Sequence, residues 1–175
     1  FHNNDATMYH IVENEHFNQY ICKCYRELSP GFMRTFAGFS DWTKEAMDEF
    51  AEYYEKMQKW TDTPMYITPG MGKVHFSDEE IYQYCEDVAE RLDYLYNEKN
   101  VKHIRYYCFS NELSCSMYGV LLHNLPLFKK YHQGLYSAFQ RRHLPIGLLA
   151  TDASEYTNWS TIDWAKENMA DISED

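Results

Sequence analysis

Apolar residues recur along this chain with two alternating periods. Phe32-Met33-Arg34-Thr35-Phe36-Ala37-Gly38-Phe39 comes after a Ser29-Pro30-Gly31 turn and reads as a strand. Met47, Phe50, Tyr54 and Met57 then fall at helical spacing. They predict a helix from about Thr43 to Trp60, capped by Ser40 or Asp41 and broken at Thr63-Pro64. Met65 to Thr68 is a second short strand, closed by Pro69-Gly70. Ser77-Asp78-Glu79-Glu80 is a capping box with Ser77 as N-cap and Glu80 at N3. The helix behind it sets Ile81, Tyr84, Cys85, Val88, Leu92 and Leu95 on one face and ends by Asn97 to Asn100.

A third strand is expected from Ile104 to Phe109. A helix from about Pro126 to Arg142 buries Leu127, Tyr131, Leu135, Ala138 and Phe139, with Pro126 suited to its first turn. Pro145 to Ala150 is a fourth strand, and a last helix covers Thr161 to Met169. Glu13 to Leu28 is helical too, with Phe17, Tyr20, Ile21, Cys24 and Leu28 in register. Strands and helices thus alternate, and the strands read as apolar on both faces, the pattern of a parallel sheet. Strand centres lie about 33 to 41 residues apart, as βα repeats require.

No GxGxxG or GxxxxGK[ST] motif stands after any strand, so neither nucleotide-binding fingerprint supports a doubly wound fold. An α/β fold of the (β/α)8 TIM-barrel type fits better, but such barrels need about 250 residues. The chain has 175. The expectation is a partial barrel, a single-domain fragment over residues 1–175 covering βα units two to five. The remainder of the barrel would come from a longer parent chain.

Composition narrows the chemistry. The chain is 45% hydrophobic and 17% aromatic, which excludes a disordered protein. Its net charge of −11 and the lack of a basic stripe argue against nucleic acid. An acidic, aromatic-rich surface suits a neutral ligand that stacks on rings. No apolar run reaches the roughly 18 residues of a membrane span. The five cysteines, Cys22, Cys24, Cys85, Cys108 and Cys115, form no CxxC pair, so neither zinc nor a disulfide framework is expected. Cys85 and Cys108 lie on apolar patterns and read as core. Unpaired cysteines and no visible signal peptide tilt the expectation toward the cytoplasm.

In a barrel, functional groups gather at the carboxyl ends of the strands. The first strand offers Arg34, then Ser40, Asp41 and Trp42; the second offers Thr68, with Lys73 and His75 in its loop. The third ends in Ser110-Asn111-Glu112; the fourth leads to Asp152, Glu155, Tyr156 and Trp159. A carboxylate at the end of a buried strand gains pKa from burial and can serve as a general acid near neutral pH. The plainer reading of Glu112 is a cap on the next helix or loop. Arg34, inside an apolar strand, needs a carboxylate, functional or structural. Asp41 reads as a helix cap and His75 as a loop histidine rather than a ligand. Asp152 divides evenly between turn and rim. Trp42 and Trp159 divide between loop packing and sugar platforms.

A strand ending in Ser-Asn-Glu at the fourth position, with Arg in the second strand, resembles the clan A glycoside hydrolases. These are retaining (β/α)8 enzymes that include cellulases and β-xylosidases. The resemblance covers Phe32 to Tyr156 as strands two to five. It implies hydrolysis of β-linked glycosidic bonds in an oligo- or polysaccharide, with no metal or organic cofactor. Glu112 would be the general acid/base, Asn111 would bind the 2-hydroxyl of the sugar, and Arg34 would lie beside the nucleophile. His75, Asp152 and Trp42 complete the expected substrate-binding rim. A retaining enzyme needs two carboxyl groups about 5 Å apart. The family's nucleophile lies on its seventh strand, beyond the strands found here. Two other classes stand beside this one. One is a carbohydrate-binding barrel without turnover. The other is a metal-dependent barrel hydrolase using His75 and Asp152, for which the expected HxH pair on a first strand is not seen.

Overall fold

A computed structural model of the protein describes residues 3–4, 15–29, 31–36, 42–58, 62–68, 73–111, 113, 119–151 and 160–173. It is a mixed α/β structure. In chain order it has β1 (Asn3–Asn4), α1 (Glu15–Leu28), β2 (Met33–Phe36), α2 (Lys44–Gln58), β3 (Met65–Thr68) and α3 (Asp78–Asp93). Next come β4 (Ile104–Cys108), the short α4 (Gly119–Leu122), α5 (Leu125–Arg141), β5 (Gly147–Leu149) and α6 (Ser160–Asn168).

Local chemistry explains the helix ends. The Ser77 hydroxyl accepts the Glu80 N–H at 3.3 Å and donates to Glu80 Oε2 at 2.9 Å, which starts α3. Asn124 accepts the Leu127 N–H at 3.3 Å, and Pro126 sits in the first turn of α5, where its missing N–H costs nothing. At its other end α3 widens into a π-helical turn, Tyr94–Glu98. Asn100 then reverses the chain at φ 57°, a left-handed conformation that asparagine tolerates.

The sheet runs β1-β2-β3-β4-β5, every neighbouring pair parallel. Strand order equals chain order, so the winding never reverses and no switch point arises. Crossovers of the usual right hand would put the connecting helices on one face. Burial agrees with this: Met33, Thr35, Met65, Ile67, Ile104 and Tyr107 are buried, while Arg34, Phe36 and Tyr66 between them are half-buried. Arg34, Tyr66, Tyr106 and Gly147 share one row of the register on that second face. A Cβ on Gly147 would come within 2.9 Å of the Tyr106 ring, so glycine lets that ring lie over β5.

The expectation that the strands are apolar and buried on both faces is corrected here. Met65 pairs with Ile104 but Tyr66 with Tyr106, so Arg105 is an extra residue in β4. Arg105 is exposed to solvent and Tyr106 is 39% exposed. The strands are also shorter than the apolar runs: β2 stops at Phe36, β4 at Cys108, and β5 spans Gly147–Leu149 within the run from Pro145 to Ala150. The two-residue β1 has no sequence signature. The predicted helix faces do form the core, with Phe50, Tyr54, Val88, Leu92, Leu95, Leu135 and Phe139 all buried. Among the described residues no helix is long and apolar enough to cross a membrane.

Candidate functional site

The carboxyl ends of β3 and β4 are tied together. The Thr68 hydroxyl donates to the Ser110 carbonyl at 3.3 Å, and the Cys108 thiol donates to the same oxygen at 2.8 Å. Thr68 and Ser110 are both enclosed. Yet Ser110 Oγ and Asn111 Oδ1 are buried with no hydrogen-bond partner among the described residues. Leaving a buried polar atom unpaired costs about 1–3 kcal/mol. Two such atoms on consecutive residues at a strand end form a place where a polar ligand gains what the protein alone forgoes.

An aromatic bed lies next to them. Phe109, the residue before Ser110, stacks on Tyr131 of α5 with centroids 4.4 Å apart. Phe128, His132 and Tyr84 surround the Phe109 ring at 5.7 to 5.8 Å. Tyr131 also reaches the loop after β3. Its hydroxyl accepts the His75 N–H at 2.7 Å and donates to the His75 carbonyl at 3.1 Å. Burial pushes the Tyr131 hydroxyl up to about 12, so it stays protonated and able to donate. One tyrosine thus fixes the β3–α3 loop to the strand that leads into Asn111.

The remaining predicted residues are scattered more widely. The His75 ring is half-buried, with Nδ1 3.7 Å from Glu80. The Ser77 hydroxyl is the main cause holding the Glu80 carboxyl below its ordinary range. The Arg34 guanidinium lies over the Phe36 ring at 4.5 Å and the Tyr66 ring at 5.9 Å, on the half-buried sheet face. Trp42 packs on Phe50 at 5.2 Å, at the edge of the core. Glu112, Asp152, Ser40, Asp41, Glu155, Tyr156 and Trp159 lie outside the described residues. Asn111 and His75 are therefore joined through Tyr131 and Phe109, whereas Trp42 belongs to the packing of α2.

His132 was missed. It is buried on α5, its ring nitrogens facing the Phe128 carbonyl at 3.1 Å and the Leu149 carbonyl at 3.2 Å. Burial, the larger effect, holds its pKa below the usual histidine value. It joins α5 to the last residue of β5. Its place four residues after Phe128 and three before Leu135, both on the apolar stripe, was the signal available.

Two clefts lie elsewhere. One of about 540 Å³, lined by Lys44, Asp93, Tyr94 and Arg142, is walled by side chains engaged in ion pairs or hydrogen bonds. A more apolar groove of about 460 Å³ runs along β5, between Leu148, Ile146, Met169 and Ile172. Among the described residues no group of three His, Cys, Asp or Glu could hold a metal. Fold and site together define a mixed α/β protein with a sequentially wound parallel sheet and a polar strand end set on aromatic rings. Neither a family model, nor a curated protein, nor a solved structure matches the chain.

Proposed function

We propose that this chain is the part of a (β/α)8-barrel glycoside hydrolase that carries the acid/base carboxylate. The observation that carries the reading is the buried pair Ser110 Oγ and Asn111 Oδ1 at the end of β4, unpartnered among the described residues and directly before Glu112 in sequence. In this reading Asn111 Oδ1 accepts a hydrogen bond from a sugar hydroxyl. Glu112 protonates the departing glycosidic oxygen. A nucleophile from outside this chain forms the glycosyl-enzyme, and Glu112 then deprotonates the water that releases the sugar. The unreversed strand order supports a barrel, since further βα units would extend the sheet beyond β5 and cover the half-buried face of Arg34, Tyr66 and Tyr106.

The test is Glu112→Gln in the full protein. Hydrolysis of unactivated β-glycosides should fall by about 10²- to 10⁴-fold, the usual contribution of general acid–base catalysis. Circular dichroism should be unchanged. Turnover near that of the wild type would contradict the assignment. Glycan binding by a wild-type protein that hydrolyses nothing would favour a binding barrel instead.

A further inference from the structure

We infer that His132 is an acid-sensitive latch, which holds β5 to α5 while its imidazole is neutral and lets the strand end go when the ring takes up a proton. The inference goes beyond the glycosidase reading and does not depend on it. The His132 side chain is 1% exposed, yet each ring nitrogen faces a carbonyl. Nδ1 lies 3.1 Å from the Phe128 oxygen and Nε2 lies 3.2 Å from the Leu149 oxygen. A neutral imidazole has one N–H to donate, and a carbonyl can only accept. One contact is therefore a hydrogen bond, and the other sets a ring lone pair against an oxygen. The Phe128 carbonyl, inside α5, already accepts the backbone N–H four residues on. The geometry favours the proton on Nε2, where it ties α5 to the last residue of β5.

The element held by this bond is a weak one. β5 is three residues long, each half-buried, and among the described residues it pairs with β4 alone. Such an edge opens at lower cost than the enclosed core beneath it. His132 also lines the groove of about 460 Å³ along β5, beside Leu148, Met169 and Ile172, so a released ring has an exit toward solvent.

A second proton on the ring gives both carbonyls a donor, but it sets a full charge against the Phe128 and Phe109 rings at 4.5 and 5.8 Å. Burial outweighs the two carbonyls, and among the described residues no ionised side chain contributes. Ionisable groups on the surrounding elements are Tyr136 of α5 on the same groove, Cys108 of β4 opposite Leu149 in register, and Cys85 of α3, kept protonated by burial. Asp171, in the turn after α6, is held by Lys129 at 2.8 Å. Asp152 and Glu155 follow Leu149 in sequence and lie outside the described residues. The charge costs less once the ring reaches water, so acid favours the open form and frees the chain that runs on to Asp152.

The experiment is amide hydrogen exchange by NMR on the full protein between about pH 7.5 and pH 5, each rate divided by its intrinsic rate at that pH. Opening at Gly147 to Leu149 should grow by up to about tenfold per pH unit below about pH 6.5, the slope of one proton. These amides should stay less protected than those of Val88 and Leu92 in α3, which need a larger opening. The His132 ring should show the Nε2–H tautomer at neutral pH and titrate below about 6.5. His132→Gln keeps one amide donor and has no titration, so the slope should vanish. A flat pH response in the wild type, or a slope that survives in His132→Gln, overturns the latch. Equal protection of β5 and α3 also overturns it, because release is then unfolding of the whole protein. Should the variant not fold, a wild-type His132 ring that titrates at or above about pH 6.5 overturns it as well.

Discussion

The α3–α5 seam and the end of β4 treat buried atoms in opposite ways. In the seam the packing is used up. Val88, Leu92, Leu135 and Ala138 are wholly enclosed, and a Cβ on Gly134 would meet Cys85 Sγ at 2.7 Å. The Cys85 thiol donates to the Tyr131 carbonyl at 3.6 Å, and burial pushes its pKa up to about 12, which makes it inert. At the end of β4, reached through Tyr131 and Phe109, two buried polar atoms have nothing to bond among the described residues. The first region spends its contacts on stability. The second leaves two buried polar atoms unsatisfied among the described residues, at a cost in stability.

The contrast can be broken where it is tightest. Gly134→Ala gains helix propensity of up to about 1 kcal/mol. Forcing a methyl onto Cys85 costs about 1–3 kcal/mol. Net destabilisation is expected in urea unfolding, and adding Cys85→Ala should relieve it, a coupling that a double-mutant cycle reads directly. A seam that accepts the extra methyl with a gain in stability would show that it is looser than described.

The strand end makes the next, smaller prediction. Thr68→Val removes the donor to the Ser110 carbonyl and should cost about 1 kcal/mol. Ser110→Ala removes a hydroxyl that bonds nothing among the described residues, so it should be neutral or slightly stabilising. If Ser110→Ala costs more than Thr68→Val, the hydroxyl has a partner in solution and the contrast collapses.

His132 sharpens the contrast at the β5 side. Its folded-state pKa lies below the unfolded value of about 6.5. Between the two, the unfolded chain binds the proton and the native chain does not, so stability present above about pH 6.5 falls as the pH drops. Thermal unfolding monitored downward from neutral pH should show this loss, and His132→Gln should flatten it. An unchanged slope in that variant would assign the pH dependence to other groups.

Much of this was legible in the sequence because it rests on local rules. The apolar stripes on α2, α3 and α5 and the Ser77–Glu80 box need only helical spacing and short side-chain reach. β3 matches its apolar run, since Pro64 and Pro69 bound it. The bulge at Arg105 was not legible, because it depends on the register between β3 and β4 rather than on either strand. Likewise, nothing local announces that Tyr131 reaches across to His75, a contact 56 residues apart in the chain. Trp42 shows the reverse limit: an aromatic residue at a strand-to-helix loop does not announce in sequence that its ring packs on Phe50. The Ser-Asn-Glu run was visible at once. That its serine hydroxyl and asparagine oxygen are buried without a partner among the described residues was not, since satisfaction is a property of the packed strand end.

The central claim is that Glu112 delivers the proton to the leaving group, and leaving-group dependence tests it most directly. kcat/KM of Glu112→Gln should collapse for glycosides with poor alkyl or sugar leaving groups. It should be largely spared for aryl glycosides whose phenolate departs without protonation. An equal loss across all leaving groups, or no loss with any, would contradict the role assigned to Glu112.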